Sequence, residues 1–248
     1  MIEHLASDGI LTLRLNYGKA GALDIELMEA MSAALDEALD ARAVVLTGSG
    51  DIFSAGVDLP RLVAGGPDYA RRFLPVLDEV FEKLFALPRP VVAALNGHAV
   101  AGGCMLALAC DHRLMVKGKA RLGIPELRLS VPFPPSAIEV VQYAVGATDV
   151  EWLLFSGETL SPDAALRSGI VDEVVPHDRL MGRALEVAGR YAGMRTENFS
   201  VVKRMLRSEA VDRIRRRRER FAAELEERWC DPGTHEELRA YVRDVLGK

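Results

Sequence analysis

Two stretches decide the reading: Ala43-Val44-Val45-Leu46-Thr47 followed by Phe53-Ser54-Ala55-Gly56-Val57-Asp58, and Val91-Val92-Ala93-Ala94-Leu95 followed by Asn96-Gly97-His98 and Ala101-Gly102-Gly103. Each begins with a short, wholly apolar run of strand type. Each then delivers small residues to the exit of that run. Small residues let a backbone come close to a ligand. At the start of a helix, N–H groups without acceptors favour developing negative charge. Two such turns side by side would form an oxyanion hole, each donor contributing roughly 10²–10³ in rate. The same residues also suit plain tight turns, and the local pattern leaves both readings open.

Outward from these stretches, Ile10–Leu15 alternates as a strand and is closed by Asn16-Tyr17-Gly18. Behind Asp24, apolar residues at helical spacing predict a helix over 25–40. A second helix is expected over 73–87, stopped by Pro88-Arg89-Pro90, and an apolar one over 103–110. His112–Val116 reads as another strand. Strands alternating with helices imply an α/β fold with a largely parallel sheet. Beyond Pro176 the pattern is almost entirely helical, over about 179–192, 197–208, 212–229 and 235–246, with breaks near Gly193, near Glu209 and at Asp231-Pro232-Gly233. The last fifty or so residues are too few for a core of their own. We therefore divide the chain into a core, 1–195, and a helical tail, 196–248, that packs on the core or on another subunit. Gly65-Gly66-Pro67, within 62–73, predicts a flexible loop or a helix break.

The 248 residues are 49% apolar and 27% charged, with a formal net charge of −5. That balance excludes a disordered chain and gives no global field for nucleic acid. Six arginines between Arg213 and Arg220 are closely followed by Glu219, Glu224, Glu226 and Glu227, and Arg215–Glu219 and Arg220–Glu224 have the spacing of a salt-bridged helix face. Nucleic acid is not an expected partner. The three cysteines form no disulfide framework or zinc pattern, no metal ligand set is visible, and no apolar run approaches the roughly 18 residues of a membrane span. The N-terminal residues carry no signal-peptide pattern, so a cytoplasmic protein with reduced thiols is expected. Ser54, His98 and Asp111 offer the residue types of a hydrolase triad, but Ser54 lacks the first glycine of a nucleophile elbow.

The chain resembles the crotonase superfamily, the enoyl-CoA hydratase/isomerase family. The resemblance rests on Phe53 to Leu59 and Asn96 to Cys104, the two signature segments. It continues through Asp111-His112-Arg113, Gly123-Ile124-Pro125-Glu126-Leu127, and Ala164 to Pro176. It runs over essentially the whole chain in the family's order. It implies a spiral of repeated β-β-α units with a C-terminal helical region that builds a homotrimer or a dimer of trimers. It also implies an acyl-CoA thioester substrate and no separate cofactor. The thioester oxygen would sit between the N–H groups of Val57 and Gly102. Ser54, Ala55, Gly56, Asp58 and Gly103 would lie along the CoA and acyl site, with Lys19 toward the CoA phosphates. Lys203 is either a further CoA contact from the tail or a solvated surface lysine.

Hydratases of this family carry two glutamates, and here only the second is present, as Glu126. The first position is Met105, which lines the same site by motif but moves no proton. The run from Ala101 to Arg113, and Pro132-Phe133, look closer to the short-chain Δ3,Δ2-enoyl-CoA isomerases. The resemblance thus implies isomerisation by Glu126 alone, with hydration as the alternative and a degenerate acyl-CoA binder as a third reading. Departures from the pattern are Gly21-Ala22-Leu23, where the family usually has Asn-Ala-Leu, and Pro60, where many relatives have a lysine.

Overall fold

The computed structural model describes residues 1–146 and 149–247. In chain order the elements are β1 (Ile2–Ser7), β2 (Ile10–Leu15), α1 (Ile25–Glu37), β3 (Ala43–Thr47), β4 (Ile52–Ser54), α2 (Leu59–Ala86), β5 (Val91–Leu95), β6 (His98–Val100), α3 (Gly102–Ala109), β7 (His112–Val116) and β8 (Leu122–Gly123). They continue as α4 (Pro135–Val145), α5 (Val150–Ser156), β9 (Thr159–Leu160), α6 (Pro162–Arg167), β10 (Glu173–Val175), α7 (Leu180–Ala192), α8 (Thr196–Cys230) and α9 (Pro232–Asp244).

The long strands form one sheet in the order β1-β2-β3-β5-β7-β10, and the short ones a second, β4-β6-β8-β9. In the first sheet only the β1–β2 pairing is antiparallel. Each turn of the chain lays one strand in each sheet and then a helix: β3-β4-α2, then β5-β6-α3. This is the expected spiral of β-β-α units. Strands β3 and β5 are buried at every position, which explains their unbroken apolar runs: a parallel sheet covered on both faces leaves no polar face. Helix α7 packs across β2, β3, β5 and β7 through Leu180, Ala184, Val187 and Ala188.

The step from one sheet to the other is held by Asn96. Its Oδ1 accepts from the Gly48 N–H at 2.8 Å, and its Nδ2 donates to the carbonyls of Gly50 and Ile52 at 2.8 and 3.2 Å. Two corners of successive turns are thereby fastened to one another. At the neighbouring Gly97 a Cβ would lie 1.7 Å from the Asp51 carbonyl oxygen, so only glycine fits.

Of the two readings of Gly65-Gly66-Pro67, the helix break holds and the flexible loop does not: the 62–73 stretch is helical, with a kink at Gly66 (φ 63°, ψ −161°) in α2, after which Pro67 restarts the helix. Two expectations are corrected. The tail has no break near Glu209. Thr196 to Cys230 contains neither glycine nor proline, and it runs as one helix of 35 residues. Its arginines do not chiefly pair along α8 but reach across to buried acids. Arg213 and Arg217 both bind Glu139 of α4, at 2.8 and 2.6 Å, and Arg218 binds Asp78 and Glu82 of α2 at 2.5 and 2.7 Å. Glu139 is fully buried. A buried carboxylate is stable only when paired, so these contacts fix how α8 lies on the core.

Replacing Asn96 by alanine should strand the Gly48 N–H and two carbonyls inside the turn. We expect a loss of about 2–3 kcal/mol, read as a fall in Tm of roughly 5–10 °C by calorimetry.

Candidate active site

Val57 and Leu23 form an isolated parallel bridge. The Leu23 N–H donates to the Gly56 carbonyl at 2.8 Å, and the Asp58 N–H donates to the Leu23 carbonyl at 2.9 Å. In such a bridge the flanking residues make the bonds, so the N–H of Val57 itself faces away from Leu23. Gly102 heads α3, where N–H groups have no intrahelical acceptor.

The two turns lie against one another. A Cβ on Gly56, which has φ +81°, would stand 2.6 Å from the Ala101 Cβ and 2.9 Å from the Gly102 nitrogen. Ala101 adopts φ 54°, ψ −131°, a backbone conformation strained for any residue with a side chain. It is pinned there by its N–H, which donates to the Gly123 carbonyl at 2.9 Å, and by its own carbonyl, which accepts from Cys104 and Met105. Val57 and Ala101 border one cleft, while Gly102, the next residue, is buried and is not among its walls.

That cleft, of about 430 Å³, is bordered by Lys19, Ala55, Val57, Asp58, Ala101 and Glu126. Glu126 opens a 3-10 turn, Glu126–Leu129, three residues beyond the end of β8. Its Oε2 is buried without a hydrogen-bond partner. Burial pushes its carboxyl up to about 8, offset only by a bond from its own backbone N–H. A carboxylic acid in an apolar surround, with no counter-charge, is poised to exchange a proton near neutral pH. Asp58, the other acid on the cleft wall, already accepts the Arg61 N–H as the cap of α2.

Other sequence-chosen residues serve the site indirectly. Ser54 is fully buried, donates to the Gly21 carbonyl at 2.7 Å and accepts from the Gly56 N–H at 3.2 Å, so it shapes the first turn from beneath. With its hydroxyl held there, and Asp111 paired with Lys203 and Arg207, Ser54, His98 and Asp111 form no triad. Gly103 packs on Ser54, where a Cβ would meet its carbonyl oxygen at 2.3 Å. Met105 is buried in the core and does not border the cleft.

Lys203 is neither a CoA contact nor a solvated lysine. It is buried, and its ammonium donates to the Arg89 carbonyl at 2.8 Å and to Asp111 at 2.6 Å. Desolvation lowers its pKa to about 8. Together with Arg207, which binds the other Asp111 oxygen at 2.8 Å, it anchors the start of α8 to the ends of the sheet.

Residues that sequence reasoning missed are Tyr17, Leu129, Val131 and, from the tail, Trp229, Tyr241 and Leu246, all on the cleft wall. No motif marks them, because the tail reaches the cleft only through the folding of α8 and α9 over it. Among the described residues no cluster of acids, histidines and cysteines is arranged to hold a metal ion, and no helix is long and apolar enough to cross a membrane.

Comparison with known proteins bears on the family and the fold. Residues 6–239 match the family model described as enoyl-CoA hydratase/isomerase. A probable enoyl-CoA hydratase of Rhizobium meliloti is 34% identical over 86% of this chain and 80% of its own. The mitochondrial enoyl-CoA delta isomerase 1 of Mus musculus is 29% identical over 88% of this chain and 78% of its own. The crystal structure of human mitochondrial delta3-delta2-enoyl-CoA isomerase has the same fold, with a TM-score of 0.94 at 22% identity, over 99% of this chain and 98% of that one. With its two facing turns, its spiral fold and a match over almost its whole length, the chain belongs to the enoyl-CoA hydratase/isomerase family.

Proposed function

We propose that this protein shifts the double bond of a 3-enoyl-CoA to the 2 position, with Glu126 as the only acid/base. The observation that carries this reading is a single unpaired buried carboxyl in the cleft, the other acid on its wall, Asp58, being engaged as the cap of α2. Glu126 stands there unpaired, whereas the position of a hydratase's other glutamate is Met105, sealed in the core. Glu126 as carboxylate takes a proton from C2, the electrons move toward the thioester oxygen, and the same carboxyl returns the proton at C4. The N–H groups of Val57 and Gly102 hold the enolate oxygen meanwhile. Hydration would also require a water to be activated while a proton is delivered to C2, work for two groups. Lys19 at the rim suits the CoA phosphates, and the chemistry calls for no metal or redox group. A cytoplasmic place of action belongs to the same reading, in keeping with three unpaired cysteines.

The test is incubation with 3-enoyl-CoA and, separately, 2-enoyl-CoA in deuterated water, followed by mass spectrometry. We expect 3-enoyl substrate to become 2-enoyl product, with little 3-hydroxyacyl-CoA from either. Glu126→Gln should lower kcat by about 10³ while leaving CoA affinity in place. Fast hydration of the 2-enoyl substrate would instead favour the hydratase reading. Because the base form is the reactive one, kcat/KM should climb about tenfold per pH unit below pH 8 and level off above it.

The same group makes a stability prediction. Its folded pKa of about 8 lies above the ordinary carboxyl value, so the folded state holds a proton that the unfolded chain has lost. Stability therefore falls as pH rises from about 4.5 to 8. Glu126→Gln should abolish that decline. At pH 9 the variant should gain up to about 5 kcal/mol, or roughly 10–20 °C in Tm, and at pH 4.5 almost nothing.

Val201, Val202, Met205 and Leu206 of α8 are exposed. We infer that copies of this chain associate through this stripe as a trimer or a dimer of trimers. Analytical ultracentrifugation should find three or six copies, and the double change Met205→Glu, Leu206→Glu should yield monomers.

A further inference from the structure

Two hollows in this molecule meet at one side chain. The first is the cleft that holds Glu126. The second is a groove of about 180 Å³ between α2 and α8, with Leu74, Pro134, Ala222 and Leu225 among its walls. Trp229, near the end of α8, borders both. It is 3% exposed, so its indole fills the space between them. Its orientation is fixed as well: the indole N–H donates to the Pro132 carbonyl at 3.0 Å. Pro132 follows Val131, whose N–H donates to the Glu126 carbonyl at 3.2 Å. The partition is thus tied to the segment that carries the acid/base.

We propose that Trp229 is the end wall of the acyl site and sets the longest acyl chain the cleft accepts. This rests on the acyl-CoA reading above. A rigid, hydrogen-bonded indole is a better stop than a flexible aliphatic side chain, since moving it forfeits both its packing and its only polar bond. Beyond it Leu74, Pro75, Pro134, Ala222 and Leu225 supply most of the groove's exposed wall, with the Asp78–Arg218 pair and Glu79 at its side and the Arg71–Glu226 pair, at 3.3 Å, linking α2 to α8 across its rim. With the indole gone, cleft and groove become continuous. The added space admits several further methylenes. The protein as it stands then selects short and medium chains, and the length rule lies in the tail, away from both signature segments.

The experiment is calorimetric titration of the intact protein with saturated straight-chain acyl-CoAs of four to sixteen carbons, which bind without reacting. In the wild type, affinity should tighten by up to about fourfold per added methylene and then stop at a definite length. Trp229→Ala should continue to tighten for several carbons more, so that a chain past the wild-type limit gains at least tenfold. Adding Ala222→Phe, which refills the groove, should restore the original limit. If alanine at this position does not fold, Trp229→Leu serves in its place and should move the limit by a smaller number of carbons. A wild type that tightens steadily to sixteen carbons, or a folded Trp229 variant with an unchanged limit, overturns the proposal. A folded wild type that binds no acyl-CoA of any length fails the acyl-CoA reading itself. Rapid hydration with the predicted length limit intact fails only the isomerase assignment.

Discussion

Two backbone segments approach each other more closely than side chains allow, and the site depends on that approach. Gly56 lies against Ala101 and Gly102 with no room for a Cβ. Everything around them serves to hold the contact. Asn96 fastens the preceding corners, Ser54 buttresses the first turn, and Ala101 is kept in a strained conformation by bonds on either side. Strain of this kind persists only where the surroundings over-determine it. Here the spiral supplies the surroundings, because each turn repeats the same strand-to-strand step and brings the next exit beside the last.

The second organising feature is electrostatic. Helix α8 carries little apolar surface toward the core, and its seat is defined by Lys203 and Arg207 on Asp111, and by Arg213, Arg217 and Arg218 on Glu139, Asp78 and Glu82. Arg207 also lies over the Phe85 ring, at 4.3 Å. Such pairs contribute more to geometry than to net stability, since desolvation offsets much of their attraction. Their effect is to place Trp229, at the far end of the same helix, against the cleft. The charge network at one end of α8 is therefore connected through a rigid helix to the shape of the site at the other.

Glu126 illustrates how a reactive group is prepared without a partner. Its surroundings raise its pKa by withholding solvent and counter-charge alike. The arrangement is unfavourable for stability above neutral pH and favourable for proton exchange, as is common where function requires an uncompensated group.

The strands β2, β3, β5 and β7 were legible in the sequence with their observed bounds, because alternation and unbroken apolar runs are local signals that burial imposes on each strand separately. The two small-residue turns were legible for a related reason, since close backbone approach demands glycine or alanine at particular positions, whereas Glu126 stood out only through the family resemblance. A break at Gly65-Gly66-Pro67 was also visible, and so was the helix from 73 onward; only the helix from Leu59 to Phe73 around the kink was not, since that tripeptide resembles a loop to any local reading. What only the tertiary structure decided are the partners across the chain. Lys203 looked like a surface lysine or a CoA contact, and the arginines of α8 looked self-paired, because their acids lie 74 to 140 positions away. Trp229, Tyr241 and Leu246 carried no signal at all. Local periodicity records whether a residue is buried, but not what it is buried against, and the length and shape of the cleft are set entirely by the latter.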